Sequence, residues 1–189
     1  MAGKLERGDA LLVVDVQNDF CPGGALAVPD GDRVVPILNR WIAAAVQARV
    51  PVHASRCWHP ASHVSFRSRG GPWPPHCVQN TTGAEFYPDL ALPPDTAILA
   101  KGTDPDRDEY SAFHSGELAE RLRRDGVRRI FVGGLALDYC VRATVLDGLA
   151  AGFDVVLLRR ATRAVEVGPG DGEQALAEIG AAGAVILSD

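Results

Sequence analysis

The chain has 189 residues, 47% of them hydrophobic and 23% charged, proportions that fit one compact soluble domain over 1–189 and argue against a second full one. A chain this long buries roughly 70% of the surface its unfolded form exposes, so it folds without disulfides or a structural metal, and any metal site becomes a functional candidate. The formal charge of −5, with no basic cluster beyond pairs such as Arg123-Arg124, argues against a nucleic-acid partner, and no apolar run reaches the roughly 18 residues of a membrane span.

Residues 1–9 are charged and lack the apolar stretch of a secretory leader, so a cytoplasmic protein is expected, with Cys21, Cys57, Cys77 and Cys140 as thiols, ligands or a nucleophile rather than disulfides. The first predicted strand is 10–16, a continuous apolar run ending at a carboxylate, as in a strand buried on both faces of a parallel sheet. A helical period follows over 34–48, then a second strand at 50–54. Residues 56–95 break the rhythm: seven of the thirteen prolines and three of the five histidines fall there, and Trp58, Phe66, Trp73 and Phe86 argue for an ordered functional segment.

Alternation then resumes with a strand at 97–100, a helix at 117–124, a strand at 129–132, a helix at 138–151, a strand at 154–158, a helix at 172–181 and a last strand at 184–187. Strand and helix in this order predict a three-layer, doubly wound, Rossmann-like α/β fold with a six-stranded, mainly parallel sheet. Ligands in such sheets sit beyond the carboxyl ends of the strands.

Three residues of reactive type fall at that edge. Asp15 ends the first strand, Lys101 follows the third, and Cys140 follows Gly133-Gly134 after the fourth. Only Lys4 and Lys101 of the nineteen basic residues are lysine, which draws attention to the interior one. Cys140 falls near a helix start, where unpaired N–H groups favour a thiolate, and the glycine-rich turn before it leaves amides free for an oxyanion. The three suggest a nucleophile, its proton acceptor and a charge organiser. Taken singly, Asp15 could be a strand-end cap, Cys140 a small buried hydrophobe and Lys101 a surface charge.

A second set lies in the irregular segment: Cys57, His59, His63 and His76, donors that suit zinc or a similar divalent ion but match no standard finger spacing. His53, inside a strand, and His114, near a helix start, are read as structural.

The stretches 15–26, 58–60, 70–80, 83–86 and 133–144 together make the chain resemble the nicotinamidase/pyrazinamidase branch of the isochorismatase-like cysteine hydrolases, nearly end to end. The resemblance implies that Asp15, Lys101 and Cys140 are the catalytic triad and that a cis Leu135–Ala136 peptide turns the Ala136 and Cys140 amides toward the oxyanion. It further implies that Phe20 and Trp73 flank an aromatic ring, with Leu135 and Tyr110 completing the substrate contacts, and that one divalent metal, zinc first and iron or manganese next, orients the ring through its nitrogen.

One position departs from the family pattern, which has an aspartate two residues before the first histidine where this chain has Cys57. A softer thiolate would shift the site toward zinc, or would not coordinate at all. The expected partner is a small carboxamide, hydrolysed to acid and ammonia in NAD salvage, and the family implies a homo-oligomer. The competing readings are a related amidase acting on another carboxamide or ureido compound, and a catalytically silent binder or thiol redox sensor built on Cys140, Cys57 and Cys77.

Overall fold

The computed structural model describes residues 3–188. Its sheet contains β1 (Asp9–Val14), β2 (Val52–Cys57), β3 (Ala97–Lys101), β4 (Arg129–Leu135), β5 (Asp154–Arg163) and β6 (Val185–Leu187) in the order β3-β2-β1-β4-β5-β6. Every neighbouring pair among them is parallel, a stricter arrangement than the mainly parallel sheet expected. The helices α1 (Val35–Ala48), α2 (Glu117–Arg124), α3 (Arg142–Ala150) and α4 (Asp171–Ala181) fall between strands, as the alternation requires. None of the described helices is long and apolar enough to cross a membrane.

All six residues of β1 are buried, as a central strand covered on both faces demands. The chain winds outward from β1 through β2 and β3, then returns to the other side of β1 for β4, β5 and β6. The winding therefore reverses between β1 and β4, and a crevice opens at their carboxyl ends. Their close approach depends on Gly134, which pairs with Val14 at φ +128°. A Cβ there would lie 2.0 Å from the Val14 carbonyl oxygen, so no other residue fits.

Local chemistry explains where the elements depart from the sequence pattern. α1 buries Val35, Leu38, Ile42 and Ala45 on one face and ends at Arg49, whose left-handed backbone returns its N–H to Ala45 and Val46. Pro51 follows at once, so β2 begins at Val52, two residues later than expected, and runs through Cys57. β1 stops at Val14 because Asp15 turns to φ 48°. β5 continues to Arg163 because β4 shifts register and pairs Gly134 with Thr162. The helix expected over 138–151 opens with a π-helical turn, Leu137–Val141, before α3 begins.

The irregular segment is tied down locally. His59 bridges to Val78 and Phe66 to Trp73, and the Val64 N–H donates to the Pro105 carbonyl at 2.7 Å. Phe66 is fully buried, anchoring the segment as an aromatic in a core does.

His53 on β2 is buried with no hydrogen-bond partner on either ring nitrogen. Burial, aided by the Arg121 charge, lowers its pKa from 6.5 to about 4. Protonation therefore favours the unfolded chain, so its contribution to stability is complete above about pH 6.5 and is lost as pH falls toward 4. Urea unfolding across that window is expected to show a shallower loss of stability in His53→Leu than in the parent, by up to about 3 kcal/mol at the acid end. Equal slopes in the two proteins would refute this.

Candidate active site

Asp15, Lys101 and Cys140 come together above the crevice. The Lys101 Nζ lies 2.7 Å from Asp15 Oδ2, 3.2 Å from Cys140 Sγ and 2.9 Å from Cys57 Sγ, and its side chain is 1% exposed. The Ser55 hydroxyl donates to the other Asp15 oxygen at 2.7 Å. Each partner comes from the end of a different strand or the turn beyond it, so the parallel register builds the cluster.

Burial works against a charge on Lys101, but Asp15, Cys140 and Cys57 outweigh it and hold the ammonium firmly protonated. The two thiols behave differently from the expectation of a thiolate at a helix start. Cys140 sits inside the π-helical turn, and its hydrogen bond with Cys57, together with burial, raises its pKa despite Lys101. A thiol so held would need a proton acceptor before it could act as a nucleophile. The Asp15 carboxylate, Cys57 Sγ and Cys140 Sγ lie within 4.8 Å of one another, so an acceptor is at hand.

The residues after β1 act as a set. The Gln17 side chain donates to the Cys57 and Ala84 carbonyls at 2.8 and 2.9 Å and accepts the Cys57 N–H at 2.7 Å. Asp19 accepts the Cys77 N–H at 2.7 Å and the Ala25 N–H at 3.1 Å. Asp138 clamps the nucleophile turn to the chain after β5, accepting from Val165 at 2.9 Å and Glu166 at 3.0 Å. Sequence reasoning did not give Gln17, Asp19 or Asp138 individual roles; their signal was their place inside the stretches 15–26 and 133–144 that carry the family resemblance.

Beside this cluster is a cleft of about 420 Å³. Phe20, Trp73, Tyr110, Ala136 and Cys140 line it, together with Cys57, His59 and His76. Tyr139 and Val165 also line it and were missed, although Tyr139 adjoins the nucleophile. The Trp73 indole N–H donates to the Tyr110 hydroxyl at 3.1 Å, and its ring meets Tyr139 edge-on at 5.0 Å, so the aromatic wall is braced. The Leu135–Ala136 peptide is cis as expected, and the Leu135 side chain is fully buried beneath the residues that line the cleft. As the last residue of β4 it points into the core beside Gly31.

Three of the four expected metal donors have their rings together, His59 lying 4.2 Å from His63 and 5.0 Å from His76 between ring centroids. His59 and His76 each engage a backbone carbonyl through Nδ1, Gly102 at 3.0 Å and Pro74 at 2.9 Å, which orients Nε2 for coordination. Burial and the neighbouring His76 and His63 lower the His59 pKa to about 3, and burial lowers that of His76, so both rings are neutral, as ligands must be. His63 contacts Ser65 Oγ at 2.7 Å and the Arg107 carbonyl at 3.0 Å, so both of its nitrogens have partners. Cys57 turns its sulfur to Lys101. Among the described residues the one group of three ligand atoms within 4.8 Å is Asp15, Cys57 and Cys140, and there the Lys101 ammonium is the cation.

Residues 9–189 match the isochorismatase domain. The chain belongs to the isochorismatase family. Among curated family members it is 42% identical to the nicotinamidase of Escherichia coli K12 over 95% of this chain and 94% of that protein. Among solved structures it resembles the zinc complex of the pyrazinamidase of Pyrococcus horikoshii, with a TM-score of 0.92 and 49% identity over 96% of this chain and 99% of that one. An L. infantum family member crystallised with nicotinate aligns with a TM-score of 0.88 and 38% identity over 98% of this chain and 94% of that one.

Removing Lys101 would leave the Asp15 charge buried without its partner. Lys101→Met is expected to lower unfolding free energy by about 3–5 kcal/mol in denaturant titration. A variant as stable as the parent would show that the ammonium is not holding the cluster together.

Proposed function

We propose that this protein is an amidohydrolase that converts nicotinamide to nicotinate and ammonia, with pyrazinamide as a further substrate. The observation that carries the reading is the Asp15–Lys101–Cys140 cluster at the wall of an aromatic cleft, in a chain whose relatives include nicotinamidases. The pyridine ring would lie against Phe20 and Trp73 with its carboxamide toward Cys140.

In this scheme the Cys140 thiol gives its proton to Asp15 as the sulfur attacks the carboxamide carbon. Lys101 keeps its charge against Asp15 throughout and limits the cost of moving a proton in a buried site. The amides of Ala136 and Cys140 are the proposed donors to the tetrahedral oxyanion. When the carbon–nitrogen bond breaks, the proton held on Asp15 leaves with ammonia, giving a thioester on Cys140. Water, deprotonated by Asp15, then adds to the thioester, releasing nicotinate and restoring the thiol.

His59 and His76 are the residues proposed to hold a divalent ion, zinc in the first instance. When bound it would supply a coordination point for the ring nitrogen, which is positioning rather than activation of the carbonyl. The segment of about 56–95 brings both histidines and Trp73 to the cleft, and we read 1–189 as one catalytic unit, expected to assemble as a homo-oligomer.

Ammonia release from nicotinamide is expected in the purified protein and is expected to fall at least about 1,000-fold in Cys140→Ala. Absence of release with zinc, manganese or iron supplied would overturn the substrate assignment. Chelation is expected to raise KM for nicotinamide more than it lowers kcat, as loss of a positioning contact does, and His59→Ala should behave alike. A fall in kcat at constant KM would instead place the ion in the chemical step.

A further inference from the structure

The hydrolytic scheme leaves one reactive group without a task. Cys57 is buried at the end of β2, its backbone clamped on both sides by Gln17, and its sulfur points at the nucleophile's own ammonium. Lys101 Nζ touches Cys57 Sγ at 2.9 Å and Cys140 Sγ at 3.2 Å, so one cation holds both sulfurs. They lie within 4.8 Å of each other, and both face the cleft, where a solute small enough to reach one meets the other. Bonding them requires the two sulfurs to close to about 2 Å.

We propose that Cys57 is a resolving thiol for Cys140, and that a hydroperoxide converts this pair into a reducible disulfide. In the first step the Cys140 sulfur attacks the terminal peroxide oxygen, the O–O bond breaks, and the thiol proton leaves with the departing alcohol or water. The sulfur, oxidised by two electrons, becomes a sulfenic acid, and the peroxide is reduced. In the second step the Cys57 sulfur attacks the Cys140 sulfur, the S–O bond breaks, and the hydroxide takes the Cys57 proton and departs as water. Lys101 sits where both the sulfenate and the incoming sulfur need a positive charge. A dithiol reverses the bond by exchange, so the nucleophile is stored in a recoverable state instead of advancing to the irreversible sulfinic acid.

A third thiol supplies the competing outcome. Cys77 is buried and hydrogen-bonds Cys57, so the competing oxidation is a Cys57–Cys77 link. The Lys101 ammonium hydrogen-bonds the Cys57 and Cys140 sulfurs, whereas Asp19 holds the Cys77 backbone.

The experiment is peroxide treatment of the full-length protein followed by tryptic mapping without reduction. Cleavage at Arg56, Arg67, Arg69, Lys101, Arg129 and Arg142 puts Cys57, Cys77 and Cys140 on separate peptides, 57–67, 70–101 and 130–142. The expected result is a 57–67/130–142 crosslink, a fall from four free thiols to two, and return of all four with dithiothreitol. In Cys57→Ser the same peroxide should drive Cys140 to sulfinic acid that dithiothreitol does not reverse, while Cys77→Ser should still form the crosslink. A Cys57–Cys77 crosslink, four thiols surviving excess peroxide, or Cys140 over-oxidation at equal rates in parent and Cys57→Ser would each overturn the proposal. Should Cys57→Ser fail to fold, mapping of the parent and Cys77→Ser decides alone. The bond itself does not depend on the hydrolase reading; only the accompanying loss of turnover does, so a crosslink in a protein that releases no ammonia would overturn that reading and leave this one standing.

Discussion

A lysine ammonium with 1% of its side chain exposed organises this molecule. Desolvating such a charge is costly unless partners surround it, and Lys101 finds a carboxylate and two sulfurs within 3.2 Å. Those partners come from the ends of β1 and β2 and from the turn after β4, while Lys101 ends β3, so the charge is compensated only when four parallel strands are in register. The geometry of the candidate site and the stability of the carboxyl edge of the sheet thus rest on the same contacts.

The surrounding loops serve that arrangement. Gln17 locks Cys57, Asp19 joins the chain after β1 to Cys77, and Asp138 ties the nucleophile turn to the residues after β5. Each is a polar side chain satisfying backbone groups that a buried loop would otherwise leave unpaired. Gly102 shows how tight the fit is: it follows Lys101 directly at φ +63°, its carbonyl contacts His59 Nδ1, and a Cβ on it would lie 2.4 Å from that nitrogen. The proposed metal ligand and the charge organiser are therefore set by one stretch of backbone.

Much of the fold was legible because apolar runs ending in Gly, Pro or Asp are strong signals for buried parallel strands, and α2 and α4 were placed within a residue of their bounds. Strand ends were read less well. They depended on Arg49 adopting a left-handed cap, on Asp15 leaving the strand, and on the register shift opposite Thr162, none of which hydrophobic periodicity encodes. Tyr139 and Val165 were missed because a residue on a helical turn or after a strand lines a cleft only once the elements pack.

Residue types and their order were enough to establish the α/β class, the carboxyl-edge placement of Asp15, Lys101 and Cys140, and the family resemblance. Which way a side chain faces was beyond them. Cys57, two residues before His59, reads as a fourth metal donor, yet its sulfur joins Lys101 while His59 looks into the cleft. His63 reads as a ligand, and its ring lies 4.2 Å from that of His59 with its nitrogens at Ser65 and the Arg107 carbonyl. Spacing along a chain sets how far apart two residues can be; the direction of a side chain is chosen by the strongest unpaired charge or hydrogen-bond partner near it, and packing alone brings that partner into reach.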